Sequence, residues 1–176
     1  MSKSFIEEFE EKYVARLKDR EIDYNALSFQ EKVSNKHHRA QIRYIGGGGT
    51  GKHDDPNVIK PHGFTLSTML LPPGAEGPLH QHHDVEEVFF VIKGQITALI
   101  QEDDGEEVHE IVLNERDCVA TPPGVYRGVR NDTDEEALFL VMLGTNRPQL
   151  PTYPKGSELE KLRILREAER RGVKLD

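Results

Sequence analysis

Hydrophobic and polar positions follow two different periods along this chain. From Ser4 to about residue 20, Phe5, Ile6, Phe9, Tyr13, Val14 and Leu17 recur every three or four positions, which predicts a helix with one apolar stripe. Ser4 followed by Glu7 marks its start, because the hydroxyl and the carboxylate can each satisfy a backbone N–H that a first helical turn leaves unbonded. A second helix is expected near the C-terminus. Ser157 and Glu160 repeat the cap pattern, Leu159, Leu162 and Leu165 follow at helical spacing, and Gly172 after Arg170 and Arg171 supplies a stop. Both helices read as packing pieces that cover a sheet or make a subunit contact, with no residues suited to chemistry. Between them the pattern changes to short β-rich runs over 64–71, 88–92, 95–100, 108–113, 118–120 and 137–143. Turn residues separate these runs, including Pro72, Pro73 and Gly74, then Lys93 and Gly94, then Pro122, Pro123 and Gly124. There is no room for the crossover helices of a parallel sheet, so the expected fold is all-β, an antiparallel sandwich or barrel with helical extensions at both ends. The chain divides into an N-terminal helical extension (1–34), a Gly/His-rich arm read as irregular (35–62), the barrel (63–145) and a C-terminal Pro-rich loop and helix (146–176).

Composition narrows the partners. The chain has 176 residues, 36% hydrophobic and 31% charged, enough for one domain with a buried core. Its 31 Asp and Glu outnumber 23 Lys and Arg, a net charge of −8, which argues against nucleic acid because phosphate binding needs clustered cations. The longest apolar run, 137–143, is far short of the ~20 residues of a membrane span, so no membrane partner is expected. The N-terminus is acidic where an export signal would be basic and then apolar, and the expectation is a cytoplasmic protein. The single cysteine, Cys118, stands in an apolar stretch and reads as a buried structural thiol.

Two motifs suggest chemistry, and one of them fails on inspection. Residues Gly46 to Lys52 read GGGGTGK, the first seven positions of a phosphate-binding loop. His53 stands where that loop needs Ser or Thr, and Asp54, Asp55 and Pro56 follow where a helix should begin. The run is better read as a flexible flap beside a pocket. The second motif lies in GAEGPLHQHHDVEEVFFVIKG, residues 74–94. His80 and His82 are two apart in an extended segment, so both imidazoles share a face, and Glu87 on the next strand can add a carboxylate oxygen. Two histidines and one carboxylate suit iron(II) with open coordination positions, and also manganese, nickel, cobalt or zinc. Phe89 and Val91 alternate with Glu87 and belong to the barrel core.

These residues resemble the first motif of the cupin superfamily: Gly74, His80, His82, Glu87 and Gly94 all fit it. The second motif of that family is similar to RDCVATPPGVYRGVRN, in which Asp117, Pro122, Gly124 and Asn131 match. The resemblance implies a jelly-roll barrel, a double-stranded β-helix of two antiparallel sheets, with an internal pocket and frequent homodimerisation. Two positions depart from it. Arg116 replaces a turn glycine, at a cost of ~1 kcal/mol if positive φ is required. Arg127 replaces the histidine that is normally the final metal ligand, and a guanidinium cannot ligate.

Two readings of Arg127 stay open. In the first, His80, His82 and Glu87 hold a divalent metal, with Fe2+ favoured over Mn2+, Ni2+, Co2+ or Zn2+, and Arg127 orients an anionic substrate. The family resemblance then implies an iron-type dioxygenase acting on a small carboxylated or phenolic compound. In the second, Arg127 pairs with Glu87 or binds an anion in a metal-free or metal-poor barrel, which serves as a small-molecule binding module or an isomerase-like enzyme using His80 or His82 as acid and base. A third placement has Arg127 facing outward. His53, His62, His83 and His109 are further histidines that could replace the missing ligand.

Overall fold

The computed structural model describes residues 3–173; the outermost ends of the two predicted extensions, 1–2 and 174–176, lie outside the described residues. Nine strands form two antiparallel sheets. One sheet orders β1 (Ala40–Ile45), β2 (Thr65–Leu71), β9 (Ala137–Leu143), β4 (Glu87–Lys93) and β7 (Cys118–Thr121) side by side. The other orders β3 (Glu76–Gln81), β8 (Tyr126–Arg130), β5 (Ile96–Gln101) and β6 (His109–Leu113). This is the expected mostly-β jelly roll. Alternate residues of β2 are buried, as the period of two requires, and Met69, Leu71, Phe89, Val91, Ile96 and Phe139 meet in the core between the sheets.

The arm is not irregular throughout. Residues 40–45 form β1, an edge strand paired with β2 from Ala40 opposite Leu70 to Ile45 opposite Leu66. Sequence pattern missed it because its first four residues are all buried, so no alternation marks it. Strand β8 was missed too, since Arg127, Gly128 and Arg130 interrupt its apolar character.

The N-terminal helix α1 (Phe5–Tyr13) has the expected Ser4/Glu7 capping box but ends before residue 20; a 3₁₀ turn follows at Leu17–Asp19. It does not cover a sheet. None of its residues is buried, and Phe5 is 81% exposed. The C-terminal helix α2 (Glu158–Arg171) begins at the Ser157 cap, ends at Gly172 in the left-handed conformation and buries Leu159. Cys118 is exposed rather than buried. On β7 the inward parity belongs to Thr121, which pairs with Glu87, so Cys118 three positions earlier faces out. Arg116 has φ of 71°, the one non-glycine with positive φ among the described residues, as its motif position requires. No helix among the described residues is long and apolar enough to cross a membrane.

Candidate metal centre

Glu87 opens β4 on the same face as Phe89 and Val91, which directs its carboxylate into the barrel, where it is 5% exposed. His80 lies near the end of β3 and His82 just beyond it, where the His82 carbonyl accepts from Gly124 N–H at 2.9 Å. The two rings stand 5.3 Å apart and nearly perpendicular. One donor atom from each of His80, His82 and Glu87 lies within 4.8 Å of the others, close enough for one ion to bridge.

The hydrogen bonds fix the proton on one nitrogen of His80. His80 Nδ1 is 2.9 Å from the Pro78 carbonyl, which can only accept, so Nδ1 carries a proton and donates it. Its Nε2 then presents a lone pair to Glu87 Oε2 at 3.1 Å. Two acceptors face each other at that distance only if a cation or a shared proton lies between them. A backbone carbonyl on the distal nitrogen is also the arrangement that orients metal-bound imidazoles. His82 Nε2 is 3.9 Å from the same oxygen, and its Nδ1 is buried without a partner. Burial lowers the His82 pKa to about 4 against the pull of Glu87, so this ring is neutral near pH 7 and keeps a lone pair for a metal. Burial alone would raise the Glu87 pKa, but His80, His82 and Arg127 together outweigh it and hold the carboxyl below its ordinary value. Neutral imidazoles and an ionised carboxylate are the forms that ligate.

Arg127 points inward, not outward. It is wholly buried, opposite His80 in the β3–β8 register, with Nε 3.6 Å from Glu87 Oε2 and Nη2 donating to the carbonyls of Thr121 and Pro122 at 3.2 and 2.8 Å. The other histidines stand elsewhere. His83 Nε2 bonds to the Thr152 hydroxyl at 2.8 Å, His109 is exposed, His62 is exposed, and His53 lines a separate surface hollow with Asp54 and Asp55. Among the described residues only His80, His82 and Glu87 form a potential metal cluster.

A cavity of about 180 Å³ opens from the triad between the sheets. His80, His82 and Glu87 line it, with Phe89, Phe139 and Leu143 among its apolar walls; Arg127 is not part of the lining. The glycine run reaches it as a 3₁₀ turn, Gly48–Thr50, where a Cβ on Gly49 would lie 3.5 Å from His82 Cε1. No phosphate loop forms: Lys52 instead reaches Asp23 at 3.3 Å. Sequence reasoning missed the cavity's Arg39, Gln30, Tyr153 and Arg163. Arg39 precedes the unrecognised β1, and nothing in the sequence ties the other three to a barrel far away in the chain.

A two-sheet jelly roll with histidines and a carboxylate converging inside one end defines a barrel of the double-stranded β-helix class. Residues 67–143 match the family model described as Cupin domain. The capsular polysaccharide assembling protein CapF from Staphylococcus aureus superposes with a TM-score of 0.52 at 18% identity, over 65% of this chain and 29% of its own. CapF with the inhibitor 3-isopropenyl-tropolone gives 0.50 at 18% identity, over 62% of this chain and 28% of its own, so this chain spans under a third of those proteins. The Schizosaccharomyces pombe Cnp3 cupin domain aligns over 78% of this chain and 73% of its own, at 14% identity and a TM-score of 0.47. No curated protein matches the chain significantly. The match to the Cupin domain model covers the barrel from 67 to 143, and the likeness to CapF is one of fold.

Proposed function

We propose that the protein is a metal-dependent oxidoreductase of the iron dioxygenase type, acting on a small carboxylated or phenolic compound held in the barrel cavity. The observation that carries this is His80 Nε2 facing Glu87 Oε2 at 3.1 Å while Nδ1 is committed to Pro78. In this reading His80, His82 and Glu87 hold a divalent metal, Fe2+ before Mn2+, Ni2+, Co2+ or Zn2+. When bound, the ion supplies Lewis acidity and a route for electrons between substrate and dioxygen. The chain does the rest. Apolar walls exclude water, the triad leaves a side open to the cavity, and Arg127 keeps Glu87 ionised and aimed. A cavity below the ~300–1,000 Å³ of drug-sized sites selects a small compound. A homodimer in the cytoplasm completes the reading, and a second copy would give the exposed stripe of α1 a partner.

The Arg127–Glu87 contact also supports a second reading, a metal-poor barrel in which the guanidinium alone balances the carboxylate. Oxygen uptake separates them. Protein loaded anaerobically with iron(II) and exposed to oxygen with a panel of catechols and hydroxybenzoates is expected to consume oxygen with at least one of them, and Glu87→Gln to abolish it. Uptake that is absent across the panel, or unchanged in E87Q, refutes the dioxygenase reading.

A further inference from the structure

The cavity has a second buried charged group in its lining. Arg39, on the segment entering β1, is 7% exposed and lines the cavity, yet no carboxylate of the described residues lies within 4 Å of it. Every other strongly buried arginine has such a partner: Arg43 has Asp23 at 3.0 Å, and Arg127 has Glu87 at 3.6 Å. A buried cation with no counter-charge in contact is costly, and burial lowers the Arg39 pKa to about 10, with Glu31 and Glu87 opposing that only from beyond contact distance.

Its hydrogen bonds show which edge is available. Nη1 donates to the His37 carbonyl at 2.9 Å and the Glu76 carbonyl at 3.4 Å, and Nη2 donates to Gln30 Oε1 at 2.6 Å. Of the five guanidinium N–H groups, Nε–H and one N–H of Nη2 have no protein acceptor. These sit on neighbouring nitrogens, the pair that matches two carboxylate oxygens. Gly77 makes the space: a Cβ there would come within 3.6 Å of Arg39 Nε and 2.9 Å of Val129 Cγ2. Gln30 is itself held, its Nε2 donating to the Tyr153 hydroxyl at 2.7 Å, so the guanidinium is fixed rather than swinging. The cavity's charge agrees. Glu87 is its one acidic lining residue, whereas Arg39, Arg166 and Arg170 line it, along with Arg163, which is paired with Glu160 and Glu167, in a protein whose net charge is −8.

We propose that Arg39 is the anion anchor of the cavity, binding a ligand carboxylate through Nε and Nη2, with the ligand's apolar body on Phe89 and Phe139 and its other end toward His80, His82 and Glu87. This rests on the cavity being the ligand site, as proposed above, and narrows the substrate from carboxylated or phenolic to carboxylated. It also assigns anion recognition to Arg39, leaving Arg127 to position Glu87.

The test is calorimetric titration of the full chain with benzoate and with its neutral isostere benzamide, before and after chelator treatment. Benzoate is expected to bind at least tenfold more tightly than benzamide in both states, Arg39→Gln to abolish that preference, and Arg147→Gln, an exposed arginine outside the cavity lining, to change it less than twofold. Equal binding of the two probes by the wild type, or a preference that survives in R39Q, overturns the proposal. So does a preference seen only with metal present, which would place the carboxylate on the ion. If R39Q does not fold, Arg39→Lys, which keeps the charge but loses the paired donors, is expected to reduce the preference at least threefold, and an unchanged preference again overturns it. Because the chelated protein is tested, failure of the metal reading leaves the benzoate preference standing, and the two claims fail separately.

Discussion

Arg127 stands opposite His80 across the β3–β8 ladder, where the family motif has a histidine. Arg127→His therefore places an imidazole beside the triad and is expected to raise metal affinity at least tenfold in competition with a chelating dye; no gain would show that position 127 cannot reach the ion. Arg127→Met removes the charge next to buried Glu87 and strands two carbonyl acceptors, which is expected to cost about 3 kcal/mol in urea denaturation of chelated protein. A loss below 1 kcal/mol would mean that Glu87 does not depend on it. His82 predicts a pH dependence of known sign. Its folded pKa is about 4 against an ordinary 6.5, so below pH 6.5 the unfolded chain takes up a proton that the folded chain refuses. Stability should thus be full above pH 6.5 and fall toward pH 4, by about 3 kcal/mol for this residue. Glu87 acts in the same direction at lower pH, because its folded pKa is also depressed. Denaturation midpoints of metal-free protein across this range, with His82→Gln flattening the upper part, check it.

At the scale of elements, what was legible followed from periodicity. The strand 137–143 has the predicted bounds, and both helix caps are present, because capping and alternation are local. His80, His82 and Glu87 were legible for the same reason, lying within eight residues at the end of β3, just beyond it and at the start of β4. Strand β1 was not, since both of its faces are covered, and with it went Arg39. The length of α1 was overestimated because the apolar stripe continues past Tyr13 in sequence, while the backbone turns extended at Val14. Arg116 at the β6–β7 turn is held at φ 71°, so Arg116→Gly should stabilise the barrel by up to about 1 kcal/mol in thermal or urea unfolding. Destabilisation would show that the arginine side chain contributes more than its backbone strain removes.

For the whole molecule, two sheets of five and four strands enclose a cavity lined both by a cluster of potential metal ligands and by Arg39, an arginine that no carboxylate of the described residues contacts. Phe89, Phe139 and Leu143 line the same space, with Gln41, Thr65 and Ser67 beside them, and the burial of the charged groups strengthens their electrostatic contacts. Residues from the glycine turn, the N-terminal segment and α2 all border this space, so the extensions outside the cupin match shape the site rather than merely flank it. The most direct measurement is elemental analysis of untagged protein, as purified and after anaerobic exposure to iron(II), with His80→Ala and Glu87→Ala alongside. About one divalent metal per chain is expected in the wild type, falling at least tenfold in either variant, since loss of a ligand should cost no less than the 10–100-fold typical of its supporting residues. A wild type that takes up no metal even from iron(II), or variants that retain it, would contradict a metal centre at His80, His82 and Glu87.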